Sequence, residues 1–506
     1  MGIQSQSLGF SDSVRAALFS VSLRNEAFID GAFRAARSGE SMPSITPVDG
    51  SLICSVSACN ADDIDDAVKA ARRAFEAGVW ANMPPRERQT IMFRFADLLE
   101  ENLEELALIE SLDMGKPIAN ARSADVPGTI RTVRYYAEAI DKIYDEIGPS
   151  PSDSVSMIVR EPLGVVGAII PWNYPLLMAA WKFGPALAAG NSLIMKPAEQ
   201  SSLSLLKVAE IAAEAGIPPG VFNVVPGYGE TAGKALALHH DVDGIVFTGS
   251  TMVGKLIMGY AAASNMKRVA LECGGKSPQI VMADCPDFDA AADAAAWAVF
   301  YDQGQVCTAG TRLFVDQRIK DEFLEKVLSV AQGLAPGNPL DPATKFGALV
   351  DQSQLATVMR YVGTGQEEGA NLVCGGTSSY ADSGGYYVHP TVFDGVTNQM
   401  TIAREEIFGP VMSVLTFRDF EEAMTLANDS QYGLAAGIWT SNVNAVHKAA
   451  RRLRAGNVWI NCWDGSDITT PFGGFKQSGF GRDRSLHALD KYTELKAIWL
   501  KLSDRF

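Results

Sequence analysis

Apolar residues recur at helical spacing in the first part of the chain. Within residues 62–78, Ile64, Val68 and Ala71 fall on one face, and two aspartates at the start suit the positive end of a helix. The proline pair at 84–85 suits the first turn of a second helix. The pattern therefore predicts two consecutive helices in this region.

Short apolar runs then alternate with helical stretches. The first series runs through 165–170, 204–215, 221–225, 231–238, 244–247 and 254–263. A second series follows residue 275, through 280–281, 289–299, 312–315 and 319–334. Such alternation is typical of parallel sheets with crossover helices, so the sequence predicts an α/β fold.

Length and composition narrow the class of protein. At 506 residues, the chain has room for two or three domains with separate cores. A hydrophobic content of 47% and a charged content of 20% are ordinary for a soluble α/β protein. The net charge of −16 argues against nucleic acid or an anionic membrane as the principal partner.

The cysteines and the apolar segments indicate the cellular setting. Seven cysteines without metal-ligand spacing suit reduced thiols in a cytoplasmic protein, so we expect neither disulfides nor a metal. Residues 1–22 lack the features of a signal peptide, and we expect them to form a mobile leader. The most apolar stretch, 162–190, is interrupted by prolines, glycines and a lysine, which predicts a strand, a loop and a helix rather than a membrane span.

One cysteine and one glutamate are candidates for chemistry. Cys307 lies in GQVCTAG at 304–310, and Glu272 lies in LECGGK at 271–276. A thiol among small residues with a separate carboxylate is a possible nucleophile and base. No histidine is near either residue in sequence, so the Cys–His pairing of a thiol protease has little support. Most free cysteines are buried and inert, which is our expectation for positions 54, 59, 285, 374 and 462.

Four further motifs accompany these two segments. They are PWNYP at 171–175, KPAE at 196–199, FTGS at 247–250 and EIFGP at 406–410. In their order, the six motifs resemble those of the NAD(P)-dependent aldehyde dehydrogenase superfamily, from about residue 25 to the C-terminus. Segment 456–500, with PFGGFKQSG and SLHAL, most resembles the γ-glutamyl-γ-aminobutyraldehyde and guanidinobutyraldehyde dehydrogenases of polyamine breakdown.

The resemblance implies the aldehyde dehydrogenase fold, which has three parts. They are a Rossmann-like NAD-binding domain, an α/β catalytic domain and a small β extension for oligomerisation. After the leader, we expect the NAD-binding domain at 23–143 and 163–274, the extension at 144–162 and 480–506, and the catalytic domain at 275–479. In this family the extension joins a neighbouring subunit's sheet, which implies a homodimer or homotetramer. From the residues alone, the tail fits an edge strand within its own domain equally well.

The resemblance also implies catalytic roles for three residues. Cys307 would attack the aldehyde as a thiolate, and Asn173 would share an oxyanion hole with the backbone N–H of the nucleophile. Hydride transfer to NAD would leave a thioester, which water activated by Glu272 would hydrolyse to a free acid. A helix beginning at Thr308 and Ala309 would favour the thiolate through its dipole. On local pattern alone, the asparagine suits a turn, and the glutamate suits an ion-paired strand end.

Residues of the cofactor site are implied in the same way. They are Trp172, Lys196, Glu199, Gly229, Gly233, Gly249, Ser250, Glu406 and Phe408. Gly249 and Ser250 precede a predicted helix, whose N-terminal amides suit a pyrophosphate. Lys196 and Glu199 match positions that hold the adenine ribose, and a carboxylate there would repel the 2′-phosphate of NADP. We therefore expect NAD as the preferred cofactor, with NADP less favoured.

Three residues near the proposed base carry separate expectations. Cys273 stands where many relatives carry leucine or alanine. Asp483 stands where many relatives place a glutamate in a proton-relay path, and its shorter side chain leaves it outside the predicted catalytic set. Lys182 is a candidate partner for Glu272.

Carboxylates and tryptophans mark the expected substrate channel. The predicted substrate residues are Asp113, Trp181, Asp302, Trp463, Asp464 and Asp467. Clustered carboxylates beside an aromatic side chain suit a cationic substrate, through ion pairing and cation–π contact. The alternative is a solvated acidic loop, which a chain of net charge −16 supplies in any case.

The sequence therefore predicts a non-CoA-acylating, NAD-dependent aldehyde dehydrogenase, with an aminoaldehyde from polyamine catabolism as the favoured substrate. A broad-specificity or semialdehyde dehydrogenase with the same machinery is the alternative among enzymes. A non-catalytic binding or structural member of the family is the alternative from another class. Such a protein would be expected to lack Cys307, Asn173 or Glu272, and all three are present.

Overall fold

A largely parallel sheet forms the centre of the first unit. The computed structural model describes the backbone of residues 2–503 and the side chains of residues 9–503. The eight strands of this sheet, in spatial order, are Ala32–Arg34, Ala27–Ile29, Phe222–Val224, Ser192–Lys196, Val165–Ile169, Gly244–Thr248, Arg268–Glu272 and Gly479–Phe480. The five from Phe222–Val224 to Arg268–Glu272 run parallel. Most of their residues are buried, as expected of strands covered by helices on both faces.

A second sheet forms the centre of the other unit. Its seven strands, in spatial order, are Asn371–Cys374, Thr391–Asp394, Val411–Phe417, Arg312–Asp316, Pro278–Val281, Ala435–Trp439 and Asn457–Ile460. Only the edge strand Asn371–Cys374 pairs antiparallel to its neighbour. Separate apolar cores surround the two sheets, which agrees with the two predicted α/β series.

Helices flank both sheets. In the first unit they are Ala61–Glu76, Pro85–Glu101, Leu103–Met114, Ile118–Asn120, Val126–Ala139, Pro175–Ala188, Leu203–Ala215, Lys234–Leu238 and Thr251–Ala263. In the second unit they are Phe288–Phe300, Lys320–Gly333, Gln352–Glu367, Thr401–Arg404, Phe420–Asn428 and Val443–Arg452. Within residues 2–503, no helix is long and apolar enough to cross a membrane.

Shorter elements complete the fold. Two hairpins pair Ser41–Ile45 with Leu52–Ser57 and Ser378–Ser379 with Tyr387–Val388. Short 3-10 segments are Tyr301–Gly304, Ala381–Ser383, Lys476–Ser478 and Leu486–Lys491, and π-helical turns are Ala121–Asp125 and Gly229–Gly233.

A third sheet carries an exposed apolar surface. It is antiparallel, in the order Thr493–Lys501, Ser154–Pro162 and Glu146–Gly148. Its edge strand exposes Leu495, Ile498, Trp499 and Leu500. A long edge strand with exposed apolar side chains is a surface suited to association.

The N-terminal segment corrects the prediction of a mobile leader. Residues Gly2–Ser20 form a helix, in which Phe10, Val14 and Ala17 are buried. The Phe10 ring stacks on Tyr387 at 5.5 Å between ring centroids. The spacing of these apolar residues places them on one helical face, which explains why the segment packs against the molecule.

Candidate active site

A cavity of about 280 Å³ lies at the carboxyl ends of the central strands of the first sheet. Thr248 and Glu272 end two of these strands, and Pro171 follows a third. This edge of an open parallel sheet is where ligands usually bind. Nine predicted site residues line the cavity, which we call the nucleophile cavity: Trp172, Asn173, Trp181, Gly249, Ser250, Glu272, Cys307, Glu406 and Phe408.

Cys307 lies in a turn that follows the helix Phe288–Phe300 and the helical turn Tyr301–Gly304. No helix begins at Thr308, so the prediction of a helix dipole at the nucleophile is wrong. The adjacent backbone N–H of Thr308 lowers the pKa of the thiol. Burial raises the pKa of the Cys307 thiol, and the carboxyl of Glu406 raises it further. The thiol is therefore neutral at rest and needs a base before it can attack.

Asn173 lies in the turn between the strand Val165–Ile169 and the helix Pro175–Ala188. The residue is only 4% exposed, and its Nδ2 donates a hydrogen bond to the carbonyl oxygen of Gln305 at 2.8 Å. A primary amide carries two N–H donors, so one remains for an oxyanion. The contact also ties this amide to the loop that carries the nucleophile.

Glu272 ends the strand Arg268–Glu272 and is only 5% exposed. Neither of its carboxyl oxygens has a hydrogen-bond partner in the described part of the chain. Burial raises the pKa of Glu272 well above its usual value, and the negative charge of Asp483 adds to the rise. A carboxyl without partners beside a cavity, with a raised pKa, meets the requirements of a general base.

Asp483 also lines the nucleophile cavity, although the sequence left it outside the catalytic set. Its two carboxylate oxygens contact Lys182 Nζ and Lys491 Nζ separately. The direct partner of Lys182 is therefore Asp483 rather than Glu272, which corrects the prediction. No sequence pattern pointed to Lys491. It lies eight residues after Asp483, and only the fold brings the two side chains into contact.

Cys273, beside the base, is a buried thiol. Burial raises its pKa to about 12, and the negative charge of Glu272 contributes. The thiol is therefore protonated at neutral pH, as expected of a side chain that packs rather than reacts.

The cofactor residues surround the N-terminus of a helix. Ser250 caps the helix Thr251–Ala263, and its Oγ accepts the N–H of Val253 at 3.3 Å. The free amides of such a first turn suit the pyrophosphate of NAD. Trp172 and Phe408 meet edge to face, with 5.1 Å between ring centroids. These residues therefore fit a dinucleotide that enters the nucleophile cavity from this side.

Two further groups of cofactor residues were predicted. Lys196 Nζ and Glu199 Oε2 form an ion pair at 3.2 Å, at the end of the strand Ser192–Lys196. Gly229 and Gly233 begin and end a π-helical turn, and a Cβ at Gly233 would lie 3.5 Å from the Lys196 side chain. The structure thus brings Gly233 and the ion pair together, at the same edge of the first sheet as the nucleophile cavity.

Glu406 lies against the loop that joins the strands Arg268–Glu272 and Pro278–Val281. Its Oε1 accepts the backbone N–H of Gly275 at 3.0 Å. Burial raises the pKa of Glu406 to about 7, although this hydrogen bond and the charge of Lys276 lower it. The carboxyl can therefore change its charge near neutral pH within the nucleophile cavity.

A second cavity, of about 240 Å³, adjoins the nucleophile through Val306 and Thr308. Its other lining residues, which define the aromatic cavity, are Ala294, Trp297, Ala298, Tyr301, Trp463 and Asp464. Asp464 lies at the rim of the aromatic cavity and is exposed as a whole residue, while partial desolvation of its carboxyl by the cavity wall raises the pKa to about 6. The carboxylate is therefore ionised at neutral pH. Sequence reasoning missed the aromatic pair Trp297 and Tyr301. Trp297 lies on the helix Phe288–Phe300, and Tyr301 directly follows the end of that helix.

The structure places Asp113 away from the predicted substrate channel. The residue is 1% exposed, and its carboxylate accepts hydrogen bonds from Ser44 Oγ and the backbone N–H of Leu203 at 2.9 Å each. Because both oxygens are used to hold the fold together, the prediction that Asp113 binds substrate is wrong.

Two more predicted substrate residues have structural roles. Asp302 is fully buried beside Lys116 Nζ at 3.3 Å, and this lysine also pairs with Asp125 at 2.8 Å. Asp467 is exposed, and its Oδ1 accepts the backbone N–H of Thr469 at 2.9 Å. Neither aspartate lines the nucleophile cavity or the aromatic cavity, and the burial of Asp302 in an ion pair contradicts its predicted contact with substrate.

Comparison with known proteins identifies the family. The model of the aldehyde dehydrogenase family matches residues 33–498. The chain belongs to the aldehyde dehydrogenase family. It is 50% identical over 483 residues to the NADP/NAD-dependent aldehyde dehydrogenase PuuC of Escherichia coli K12, which covers 96% of this chain and 97% of that protein.

Solved structures agree with this assignment. An indole-3-acetaldehyde dehydrogenase in complex with NAD⁺ superposes with a TM-score of 0.96 at 56% identity, covering 97% of this chain and 99% of that one. A γ-glutamyl-γ-aminobutyraldehyde dehydrogenase from Burkholderia cenocepacia J2315 gives 0.95 at 55% identity, covering 98% and 100%. The predicted fold, the enzyme class, NAD as cofactor and the narrower resemblance are thereby confirmed.

Proposed function

We propose that this enzyme oxidises an amino-substituted aldehyde to a free carboxylic acid, with NAD as the oxidant. The observation that carries the proposal is a pair of cavities on either side of the nucleophile. The nucleophile cavity contains Cys307, Glu272 and Asn173 beside the cofactor residues. The aromatic cavity contains Asp464 among three aromatic side chains. A substrate cation is stabilised by such a carboxylate and by aromatic faces.

The first half of the reaction forms a covalent intermediate. The Cys307 thiol, whose pKa is raised by burial, first gives up its proton to solvent water, so that Glu272 stays ionised for the second half. The sulfur then bonds to the aldehyde carbon, and the free N–H of the Asn173 amide donates to the new oxyanion. NAD, when bound, supplies the acceptor for the hydride of that carbon. Loss of the hydride leaves a thioester on the cysteine.

The second half releases the acid. Glu272 takes a proton from water, whose oxygen bonds to the thioester carbon while the C–S bond breaks. Cys307 leaves as a thiolate, and the glutamate returns its proton to solvent. The product is therefore a free acid, because the base directs water, rather than another thiol, to the thioester.

An uncharged aromatic aldehyde is the second candidate substrate. One relative at 56% identity is an indole-3-acetaldehyde dehydrogenase. Trp297, Tyr301 and Trp463 offer surfaces on which an indole ring could stack. The carboxylate of Asp464 separates the two candidates, since it attracts a cation and gives no comparable gain to a neutral ring.

A substrate panel tests the proposal. NADH formation is followed by absorbance with aminoaldehydes, a guanidinoaldehyde, indole-3-acetaldehyde and neutral aliphatic aldehydes. We expect the cationic aldehydes to have the highest kcat/KM, and Asp464→Asn to remove that advantage. Asp467→Asn is the matched control, because this exposed carboxylate lies three residues away and outside the aromatic cavity. Equal kcat/KM values for cationic and neutral aldehydes would contradict the substrate assignment.

A second experiment tests the nucleophile. Cys307→Ala should form no NADH with any aldehyde and should still bind NAD, because the alanine leaves the helix N-terminus and the ribose residues in place. Full activity of that variant would contradict the mechanism, and loss of NAD binding would show that the substitution damages the fold.

We also propose that the enzyme is a cytoplasmic homodimer or homotetramer, assembled through the edge strand Thr493–Lys501. The exposed apolar side chains of this strand support the proposed assembly. The seven free cysteines support the cytoplasmic setting, because thiols stay reduced there. Trp499→Glu should reduce the particle mass measured by light scattering. A monomeric wild-type protein would contradict the proposed assembly.

A further inference from the structure

A buried cluster of three charged side chains lies beside the general base. Asp483 is held between Lys182, on the helix Pro175–Ala188, and Lys491, at the end of the helical turn Leu486–Lys491. The side chains of Lys182 and Asp483 are 1% and 0% exposed, whereas that of Lys491 is 10% exposed. Two ammonium groups on one carboxylate give the cluster a net positive charge.

The cluster separates two cavities. Asp483 lines the nucleophile cavity together with Glu272. Lys491 lines a third cavity of about 680 Å³, which we call the outer cavity and which also contains Arg482 and His487. Lys491 is therefore the member of the cluster that a small molecule or water can reach from the side opposite the nucleophile.

We infer that Lys491 is a positioning residue for the deacylation step, which fixes Asp483 against Lys182 and keeps the surroundings of Glu272 positively charged. The inference rests on the proposed function, because it concerns the base of that reaction. Lys182 contacts only one carboxylate oxygen of Asp483. The contact of Lys491 with the other oxygen is what keeps this carboxylate from rotating.

The electrostatic consequence concerns the ionisation of the base. The charged and titratable groups that act on or respond to Glu272 are Asp483, Lys182, Lys491, Arg482, Cys273 and Cys307. The three cations lower the pKa of Glu272, against the effects of burial and of Asp483. Without Lys491, the pair of Lys182 and Asp483 is neutral, and the pKa of Glu272 rises further. The base is ionised above its pKa, so the variant needs a higher pH to deacylate.

Rapid mixing with NAD and an aldehyde separates this role from a purely structural one. In Lys491→Met, we expect a burst of NADH equal to the active sites, followed by a steady-state rate lowered about tenfold at neutral pH. The rising limb of the pH–rate profile should move upward by about one unit, the shift that corresponds to this loss of ionised base. Lys491→Arg should restore both values, because it keeps the charge and the contact.

Chemical rescue gives an independent readout. Methylammonium added to Lys491→Ala should recover part of the steady-state rate, because the outer cavity has room for it at the vacated position. Lys69→Met is the matched control: this lysine also pairs with an aspartate, Asp65, but it is exposed on the surface. The control should keep the wild-type burst, rate and pH profile.

The outcomes distinguish the inference from the function on which it rests. An unchanged pH profile in Lys491→Met, or an equal loss of burst and steady-state rate, would overturn the role of Lys491 while leaving aldehyde oxidation in place. Wild-type enzyme that forms no NADH with any aldehyde would overturn the proposed function, and the inference with it.

Discussion

The side-chain amide of Asn173 donates a hydrogen bond to the carbonyl oxygen of Gln305 at 2.8 Å, two residues before the nucleophile. The side chain of Gln305 is itself fixed, since its Oε1 accepts the backbone N–H of Val350 at 2.9 Å. The amide that we propose as the oxyanion donor and the loop of Cys307 are therefore held as one unit before any substrate arrives. Such preorganisation removes the cost of arranging the donor during the reaction.

Replacing Asn173 by alanine should lower kcat/KM by roughly 100- to 1,000-fold, the usual effect of losing one oxyanion donor. Steady-state NADH formation with a good aldehyde measures the loss, and NAD binding measures whether the cofactor side is intact. Asn173→Asp should be equally slow, because a carboxylate offers no N–H to the oxyanion. Activity within a few-fold of wild type in either variant would exclude this role.

The preference for NAD over NADP should depend on Glu199. This residue pairs with Lys196 where the adenine ribose is expected, and its charge repels a 2′-phosphate. Glu199→Ala should raise kcat/KM with NADP relative to NAD by about tenfold, on the scale of removing one repulsive charge. Glu230→Ala is the control, because Glu230 also acts electrostatically on Lys196 without pairing with it. An unchanged cofactor ratio in Glu199→Ala would place the 2′-phosphate elsewhere.

The preference for cationic aldehydes should weaken in acid. Partial desolvation raises the pKa of the Asp464 carboxyl to about 6, so it is charged above that pH and neutral below it. The ratio of kcat/KM for a cationic aldehyde to that for a neutral one should therefore fall as the pH drops from 7 through about 6 to 5. Taking the ratio removes the pH dependence that comes from groups, such as Glu272, that act on both substrates alike. A ratio that stays constant with pH would argue against Asp464 as the cation's partner.

The sequence predicts those parts of the site that are continuous along the chain. Gly249 and Ser250 join a strand to the helix that Ser250 caps, so the local motif determines their place beside the free amides of the first turn. Trp463 and Asp464 are likewise neighbours in one loop, and both line the aromatic cavity. The α/β alternation carries the same kind of local information, and it predicts the two parallel sheets.

The parts that the sequence misassigns depend on partners far along the chain. Asp113 resembles a channel carboxylate until the fold supplies Ser44 and the backbone of Leu203 as partners. Asp302 is three residues from Gln305, yet its neighbour in space is Lys116. Composition and spacing cannot distinguish a carboxylate that faces substrate from one that is buried in an ion pair, because the distinguishing partners are distant in sequence.

The ion pairs of Lys116 should matter for stability more than for chemistry. This lysine is fully buried between Asp125 and Asp302, and it lies 3.8 Å from the centre of the Tyr174 ring. Lys116→Met leaves the carboxylates without their cation, and removing one partner of a buried pair typically costs about 3–5 kcal/mol. Chemical denaturation should show that loss in the free energy of unfolding. A destabilisation below about 1 kcal/mol would mean that the carboxyls are already protonated in the native enzyme.

The docking of the N-terminal helix should be separable from catalysis. Phe10 is 5% exposed and packs between Tyr380 and Tyr387, at 5.3 and 5.5 Å between ring centroids. Phe10→Ala removes both contacts, and losing a buried phenylalanine costs about 3 kcal/mol or more. Because the helix Gly2–Ser20 packs on the outside of the molecule, we expect this loss to appear as local opening. Hydrogen exchange in residues 9–20 should therefore accelerate, while kcat stays at the wild-type value.

Phe19→Ala is the control, since Phe19 is 93% exposed and its truncation should change neither quantity. Exchange rates that match in the two variants would show that the aromatic contacts do not hold the helix.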